Sequence, residues 1–527
     1  MASSKKIIIG SRGSELALWQ ANFVKEKLEQ SGKPTEIKII KTQGDKIQNL
    51  SFEKLEGKGF FTKELEEALI NKEIDLAVHS CKDLPTENPK GLILAAVSLR
   101  EDPCDLLIIR KEAGDEKQKW KLKLKANVGT SSSRRKAQLL HFRPDLNTSD
   151  LRGNVPTRIE KLRKKQYDAI MLAAAGIERL ELDLNDFIVT KLPAKEFIPA
   201  PAQGVLALQI RENDKNLYKH LKDTFNYPEV FETTQIEREI LKRFQGGCQM
   251  PLGIYCESET DEEDNTLFNI WVSKANAWDA PVAPFFYQTP KPEKIYDKIL
   301  ANINLKPTSV FITQNKRKED YFVRTLNSLG FKTECQSLIE FRLIPFKISE
   351  PFEWIFFSSK HAVKYFFMQK PILNKETKFG VIGLSTGVEL RKYGYVPDFI
   401  GQSNNIDSIS RQFSNLAGNK KVLFPHAKGS FKSVQQLMPK KDKVLNLTVY
   451  ETIKYPDAII PRCDLVVFTS PSNVEAYFEK TSFNNTKQKA IAMGDSTAKE
   501  LLKHGIRAVA KPNTFDEIGI VRAILSL

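Results

Sequence analysis

Signatures of metal binding, disulfide bonding and membrane insertion are missing from this 527-residue chain. Its six cysteines, Cys81, Cys104, Cys248, Cys256, Cys335 and Cys463, form no CxxC pair and no finger spacing. That excludes a zinc finger and points to a reducing compartment. Its six histidines make no HExxH pair, so no metal is expected. No apolar stretch approaches the ~18 residues of a membrane helix. The run Ile7–Ile9 is too short for a signal peptide core, so neither secretion nor a membrane partner is expected, and the cytoplasm is the expected home. The turn Gly57-Lys58-Gly59-Phe60-Phe61 matches neither a P-loop nor GxGxxG, so nucleotide binding has no support. Long blocks of like charge are scarce too. The net charge is +15, which suits an anionic partner, but the lysines are scattered. Nucleic acid, an anionic membrane surface and polycarboxylate substrates all fit such a charge, and the scatter weakens the first.

What is present is ordinary globular material. At ~150 residues per domain the length suggests three or four domains. The first 200 residues alternate short apolar runs with helical patterns, the sign of α/β domains with largely parallel sheets. Ile7–Ile9, Ile37–Ile40 and Ile74–His79 read as strands, as do Ala169–Leu172 and Val205–Ile210. Ser14 caps a helix through Leu28, and Thr62–Asn71 reads as another. Pro103 and the stretch Pro193 to Pro201 look like crossings between two lobes, which places a ligand cleft between them. A smaller unit begins near Phe231 with a helix over Thr234–Phe244. An acidic hairpin tip follows at 257–265, and the proline-rich stretch Pro281–Pro292 reads as a linker or its approach.

The last 220 residues contain a repeat. Trp354 to Phe367 matches Leu465 to Phe478, and Gly383-Leu-Ser-Thr-Gly387 matches Gly494-Asp-Ser-Thr-Ala498, both at an offset of 111 residues. Each copy reads strand, Ser-capped helix, strand, Gly-x-Ser-Thr, helix. The period is too long for a solenoid and predicts two similar α/β lobes.

Arginines carry the clearest chemical signal. Gly129-Thr130-Ser131-Ser132-Ser133-Arg134-Arg135 opens a helix, and Arg152 and Arg158 bracket a Gly-Asn turn shortly after. Backbone N–H groups at a helix start, joined by planar guanidinium forks, make an anion cradle. The plainer reading is a solvated basic face with a serine cap, and spacing alone leaves both open. Arg12 in Ser11-Arg12-Gly13-Ser14 repeats the theme. Asp83, after Val78-His79-Ser80-Cys81-Lys82, can act as acid or base or steady a cation, or simply cap a turn. His79 reads as structural. Cys248, in a Gly-Gly-Cys turn, is either an accessible thiol or a small buried hydrophobe. Gln203-Gly204 reads as a hinge, with Gln203 in reach of a ligand.

These segments together resemble hydroxymethylbilane synthase (porphobilinogen deaminase) over roughly residues 5 to 290. The motifs are Ser11-Arg12-x-Ser14-x-Leu-Ala-Leu-Trp-Gln20, Gly-Lys58-Gly, His-Ser-Cys-Lys82-Asp83-Leu-Pro, Gly-Thr130-Ser-Ser132-Ser-Arg134-Arg135, Leu-Arg152-Gly-Asn-Val-Pro-Thr-Arg158, Ala-Ala-Gly-Ile-Glu-Arg179 and Gly-Gly-Cys248-Gln-Met-Pro. Residues 307 to 527 resemble uroporphyrinogen-III synthase through the paired Ser/Thr strand ends, the two Gly-x-Ser-Thr turns and Leu447-Thr-Val-Tyr450-Glu-Thr452.

The resemblance implies an α/β fold of two periplasmic-binding-protein-like lobes and a small α+β cofactor-anchoring domain, then a bilobal α/β synthase domain. The implied limits are 1–103 with 204–228 for lobe 1, 104–203 for lobe 2 and 229–290 for the anchoring domain. Residues 291–306 form the linker, and 307–527 the last domain, with an inserted lobe at about 348–452.

It further implies a bifunctional enzyme of tetrapyrrole synthesis. Porphobilinogen is condensed four at a time to hydroxymethylbilane with loss of ammonia, and the bilane is then cyclised to uroporphyrinogen III. Cys248 would carry a dipyrromethane cofactor by a thioether, and Asp83 would stabilise the cationic azafulvene. Lys82, Thr130, Ser132, Arg134, Arg135 and Arg158 would hold the cofactor. Arg12, Ser14, Gln20, Lys58, Arg152, Arg179 and Gln203 would bind substrate. In the second half Tyr450 would serve as acid, with Ser359, Ser470 and Thr497 on substrate carboxylates; simple helix caps are the alternative for those three. A monomer is expected. Cys81 stands where the family commonly has methionine, and Pro199-Ala-Pro-Ala-Gln203 has alanine where glycine is usual, implying a stiffer hinge. Gly387 replaces the alanine of the later copy. Three other readings stay open: a deaminase with an inactive second half, a non-catalytic two-lobed anion binder, and a basic nucleic-acid binder.

Overall fold

The computed structural model describes residues 6–42, 62–225, 227–244, 250–261, 263–302, 308–401, 406–430, 433–438 and 440–527. The turns holding Lys58 and Cys248 lie outside the described residues. Two compact units are present: Met1–Val310 with Lys316–Thr333 and Ala508–Leu527, and Phe311–Asn315 with Glu334–Arg507.

The first unit contains three sheets. Strands β1 (Ile7–Ser11), β2 (Thr35–Ile39), β3 (Leu76–Ser80) and β4 (Leu92–Val97) belong to lobe 1. Lobe 2 follows with β5 (Asp105–Arg110), β6 (Asn127–Gly129), β7 (Asn147–Ser149), β8 (Ala169–Ala173) and β9 (Phe187–Leu192). The chain then returns to lobe 1 as β10 (Leu206–Arg211), giving the orders β2-β1-β3-β10-β4 and β7-β6-β8-β5-β9. In each sheet the returning or leading strand runs antiparallel to neighbours that are otherwise parallel. The apolar runs are strands because both faces are covered, as Ile7, Ile9, Leu76, Leu208 and Ile210 share one core with Val24 and Leu28 of the Glu15–Gln30 helix. Ser14 caps that helix, accepting from the Ala17 N–H.

The two crossings lie side by side, with the Glu101 N–H donating to the Gly204 carbonyl at 3.1 Å. Gly204 has φ +88°, and a Cβ there would stand 2.4 Å from the Glu101 oxygen, so glycine is required. Ala202 also sits in the left-handed region, at φ +60°. Its N–H donates to Glu237, a wholly buried carboxylate that also accepts from Arg100 at 2.8 Å and from the Cys256 N–H at 2.8 Å. Glu237 thus joins both crossings to the third sheet.

That sheet is the antiparallel series β11 (Leu252–Thr260), β12 (Thr266–Lys274) and β13 (Ala283–Thr289), packed on the Pro228–Arg243 helix. The acidic 257–265 stretch is its hairpin tip. The helix begins six residues before the expected Thr234, with Pro228 in its first turn. The proline-rich stretch is not a linker: β13 pairs with β12, burying Phe285 and Tyr287, and Pro284 is accommodated because β13 is an edge strand. Residues 291–306 are not bare linker either, since a 3₁₀ turn (Pro292–Lys294) and a helix (Tyr296–Asn302) occupy part of them.

Beyond these come β14 (Ser309–Ile312), β15 (Lys332–Cys335), β16 (Ile339–Leu343), β17 (Trp354–Phe357), β18 (Lys378–Val381), β19 (Phe399–Ile400), β20 (Val422–Ala427), β21 (Val444–Lys454), β22 (Leu465–Phe468) and β23 (Lys489–Ala492). They form two sheets, ordered β15-β14-β22-β23 and β16-β21-β20-β17-β18-β19. The repeat is visible element for element. Ser359 caps Lys360–Phe367 and Ser470 caps Pro471–Lys480. Gly383 precedes Leu384–Arg391 as Gly494 precedes Asp495–Lys503.

Candidate active site

Strand ends and helix starts of the first unit bring the expected residues together. Lobe 1 contributes the end of β1, which carries Arg12, and the 3₁₀ turn Cys81–Asp83 after β3. Gln20 anchors that turn from below, donating to the Ser80 hydroxyl at 2.9 Å. Asp83 itself is exposed. His79 is structural: it is buried against Gln209 at 3.2 Å, and burial holds its pKa down to about 4.

Lobe 2 contributes the Ser133–Phe142 helix. Ser132 caps it, accepting from the Arg135 N–H, and the Thr130 hydroxyl accepts from the Ser132 N–H. Ser131 exchanges hydrogen bonds with both backbone groups of Leu151, at 3.0 Å each, and so fastens the second arginine run to the first. The serine-cap reading therefore holds for Ser132.

Arg134 and Arg135 converge on a residue that belongs to none of the motifs. Asp105, with no exposed surface, accepts from Arg134 at 2.8 Å and from Arg135 at 2.6 and 3.1 Å. The two guanidinium groups hold its carboxyl well below the usual carboxylate range despite burial. Gln203 donates to Asp105 at 3.1 Å and accepts from Lys82 at 3.5 Å, so the second crossing links the two lobes. Burial brings Lys82 down to about 8 even with Asp83 beside it. A signal for Asp105 did exist: an acidic residue opening the strand Leu-Leu-Ile-Ile must find a cation.

The remaining arginines divide. Arg158 donates to the Gly153 carbonyl at 2.7 Å. Its pKa falls to about 10, first through burial and then through repulsion by Arg135 and Arg152, with Asp83 opposing. Arg135, Arg152, Arg158 and Asp83 therefore share one neighbourhood with surplus positive charge. Arg179 belongs to the hinge. It pairs with Glu101 at 3.1 Å, donates to the Gly204 carbonyl at 3.0 Å and lies 5.6 Å over the Trp19 ring. Glu101, Asp105 and Glu237 are the carboxylates that sequence reasoning missed.

In the second unit Tyr450 on β21 is nearly enclosed. Its hydroxyl is 3.4 Å from the Ser359 hydroxyl, its ring stacks on Tyr365, and Phe341 meets it edge-on. Burial raises its pKa. Ser359 and Ser470 act as caps. Thr497 is 3% exposed in the first turn of its helix, like its counterpart Thr386 at 2%. This corrects the expectation that its hydroxyl presents itself to a ligand, because the side chain of this helix position turns into the core. Among the described residues no group of three or more His, Cys, Asp or Glu could hold a metal ion.

Comparison with known proteins matches these two halves separately. Residues 7–219 match the family model described as porphobilinogen deaminase, dipyromethane cofactor binding domain. Residues 320–522 match that of uroporphyrinogen-III synthase HemD. The chain is 45% identical over 251 residues to a porphobilinogen deaminase of Nitratiruptor sp., covering 47% of this chain and 78% of that protein. It is 44% identical over 254 residues to one of Desulforamulus reducens, covering 48% and 80%. Among solved structures, the uroporphyrinogen-III synthetase of Helicobacter pylori aligns over 41% of this chain and 98% of its own, with 19% identity and a TM-score of 0.33.

Proposed function

Because the chain belongs to the porphobilinogen deaminase family, with a uroporphyrinogen-III synthase domain after it, we propose that the Asp105-braced arginine cluster is the centre where porphobilinogen is condensed to hydroxymethylbilane. The chain is a bifunctional enzyme of tetrapyrrole synthesis, and its second half closes the bilane to uroporphyrinogen III. The observation that carries the site is the convergence of Arg134, Arg135 and Gln203 on the buried Asp105, with Lys82 reaching Gln203 from the other lobe.

Its first half is a dipyrromethane-binding domain, and the cluster suits that group, whose pyrroles carry acetate and propionate arms. Cys248 would anchor it, with Lys82, Thr130, Ser132, Arg134, Arg135 and Arg158 around it. When bound, the group supplies the terminal pyrrole to which the first substrate is joined. A guanidinium has five N–H groups. Arg134 uses two on protein acceptors and Arg135 three, so both keep donors for carboxylates while Asp105 fixes their planes. Asp83, exposed beside this surplus of cations, accepts a pyrrole N–H and offsets positive charge as ammonia leaves. Arg12, Ser14, Lys58 and Arg152 bind the incoming substrate. Gln20, Gln203 and Arg179 act on the turn and the hinge. Tyr450, steadied by Ser359, gives a proton to the leaving hydroxyl of the bilane, with Ser470 and Thr497 contributing backbone N–H groups.

The domain limits 1–103 with 204–228, 104–203 and 229–290 agree with the memberships of the sheets, whereas 307–527 is not one compact unit, because residues 316–333 and 508–527 pack with the first unit. The protein acts as a monomer in the cytoplasm, without nucleic acid or membrane. No helix among the described residues is long and apolar enough to cross a bilayer.

One experiment tests both halves. Purified protein is weighed intact under denaturing conditions, then given porphobilinogen. The expected results are an added mass of two pyrrole units on Cys248, its absence and inactivity in Cys248→Ser, and type III product. An unmodified, active Cys248→Ser variant overturns the first half. Type I product alone overturns the second and leaves a deaminase with an inactive appendage.

A further inference from the structure

The helices Tyr321–Ser328 and Glu517–Leu525 lie almost wholly within the stretch that matches the synthase family, yet they belong to the compact unit of the deaminase. Three deaminase segments meet them. At the far end of the arginine-bearing helix, the Tyr321 hydroxyl lies 3.0 Å from His141 Nε2, and the Tyr321 ring stacks on Phe142 at 5.4 Å. Arg324 donates to the His141 carbonyl. At the second crossing, Arg522 donates to the Lys195 carbonyl. On the anchoring domain, the Phe286 N–H of β13 donates to the Ser526 hydroxyl at 3.3 Å. The two helices are locked to each other as well, because Glu517 accepts from the Phe322 N–H at 2.9 Å and pairs with Lys316. His141 and Arg522 are 9% and 3% exposed, so the core of this polar set is held out of water.

We propose that these two helices are a brace for the deaminase: they clamp the end of the Arg134–Arg135 helix to the second crossing and to β13, so that the first reaction requires the second enzyme's chain whether or not the second reaction runs. A tether would need neither these bonds nor three separate footholds. Lobe 2 and the anchoring domain each reach the brace through a contact of their own.

The test is hydrogen exchange on the full-length protein, with porphobilinogen consumption followed separately. In Tyr321→Ala/Arg324→Ala, exchange at 139–142 and at 283–289 should quicken at least tenfold, and consumption should fall several-fold. Tyr321→Phe removes only the hydroxyl contact and should quicken exchange at 139–142 a few-fold. Faster exchange confined to 321–328 and 517–525, with consumption unchanged, overturns the brace. If the double variant is recovered only unfolded, Tyr321→Phe decides alone, and unchanged exchange at 139–142 overturns it. Exchange needs no turnover, so the brace and the assigned reaction fail separately.

Discussion

Asp105 takes four hydrogen bonds from three side chains while fully enclosed. Asp105→Asn leaves two adjacent guanidinium groups without their counter-charge. Breaking such a buried pair costs about 3–5 kcal/mol. The variant should show that loss in a urea titration and should turn over porphobilinogen far more slowly. Because the folded carboxyl ionises well below its ordinary range, its contribution is complete above that range and is lost only as the pH falls through the depressed value. Mild acid acts elsewhere. His79 is buried neutral with a pKa near 4, against 6.5 for the free side chain, so the unfolded chain takes up its proton first. Stability should therefore fall as the pH drops from about 6.5 to 4, by up to about 1.4 kcal/mol per pH unit for this residue. His79→Gln, which retains a hydrogen-bonding partner for Gln209, should flatten the stability–pH curve by that slope, as seen in unfolding midpoints across the interval. At this scale the arginines were legible because guanidinium runs near a strand end are rare and loud. Asp105, Glu101 and Glu237 were not, since a single carboxylate carries no period and its partners come from distant parts of the chain.

Helix starts are legible in sequence where one local bond decides them. Ser14, Ser359 and Ser470 all accept from the N–H three residues on. Tertiary pairing overrides composition elsewhere. Prolines suggested a linker at 281–292, but aromatic side chains in the same stretch make β13 an edge strand against β12. The repeat gives an internal control on helix propensity. Gly387 lies inside the Leu384–Arg391 helix where the later copy has Ala498. A Cβ at 387 would rest 3.5 Å from Pro397 and Val381, ordinary contact distances. Gly387→Ala should therefore stabilise the second unit by about 0.5–1 kcal/mol, measurable as a raised unfolding midpoint with unchanged product.

At the scale of the whole molecule, the two reactions should separate by variant. Tyr450→Phe removes one hydroxyl contact, to Ser359, and retains the stacking on Tyr365. It should leave porphobilinogen consumption intact and shift product from type III towards type I, read by chromatography of the oxidised porphyrins. The two-lobed plan of each half could be foreseen from alternating patterns and the 111-residue offset. That segments 316–333 and 508–527 join the first unit could not, because such packing depends on surfaces that sequence periodicity does not encode. One feature of the hinge reaches beyond catalysis. The strands of chain entering and leaving lobe 2 touch through the Glu101–Gly204 hydrogen bond, so the intervening hundred or so residues form a closed excursion. Excising or exchanging such an excursion adds little loop-closure entropy. Lobe 2 is therefore a natural cassette: a chimera carrying a relative's version of it should fold and keep the host's product, and insolubility of every such graft would show that the two lobes have co-adapted beyond their shared doorway.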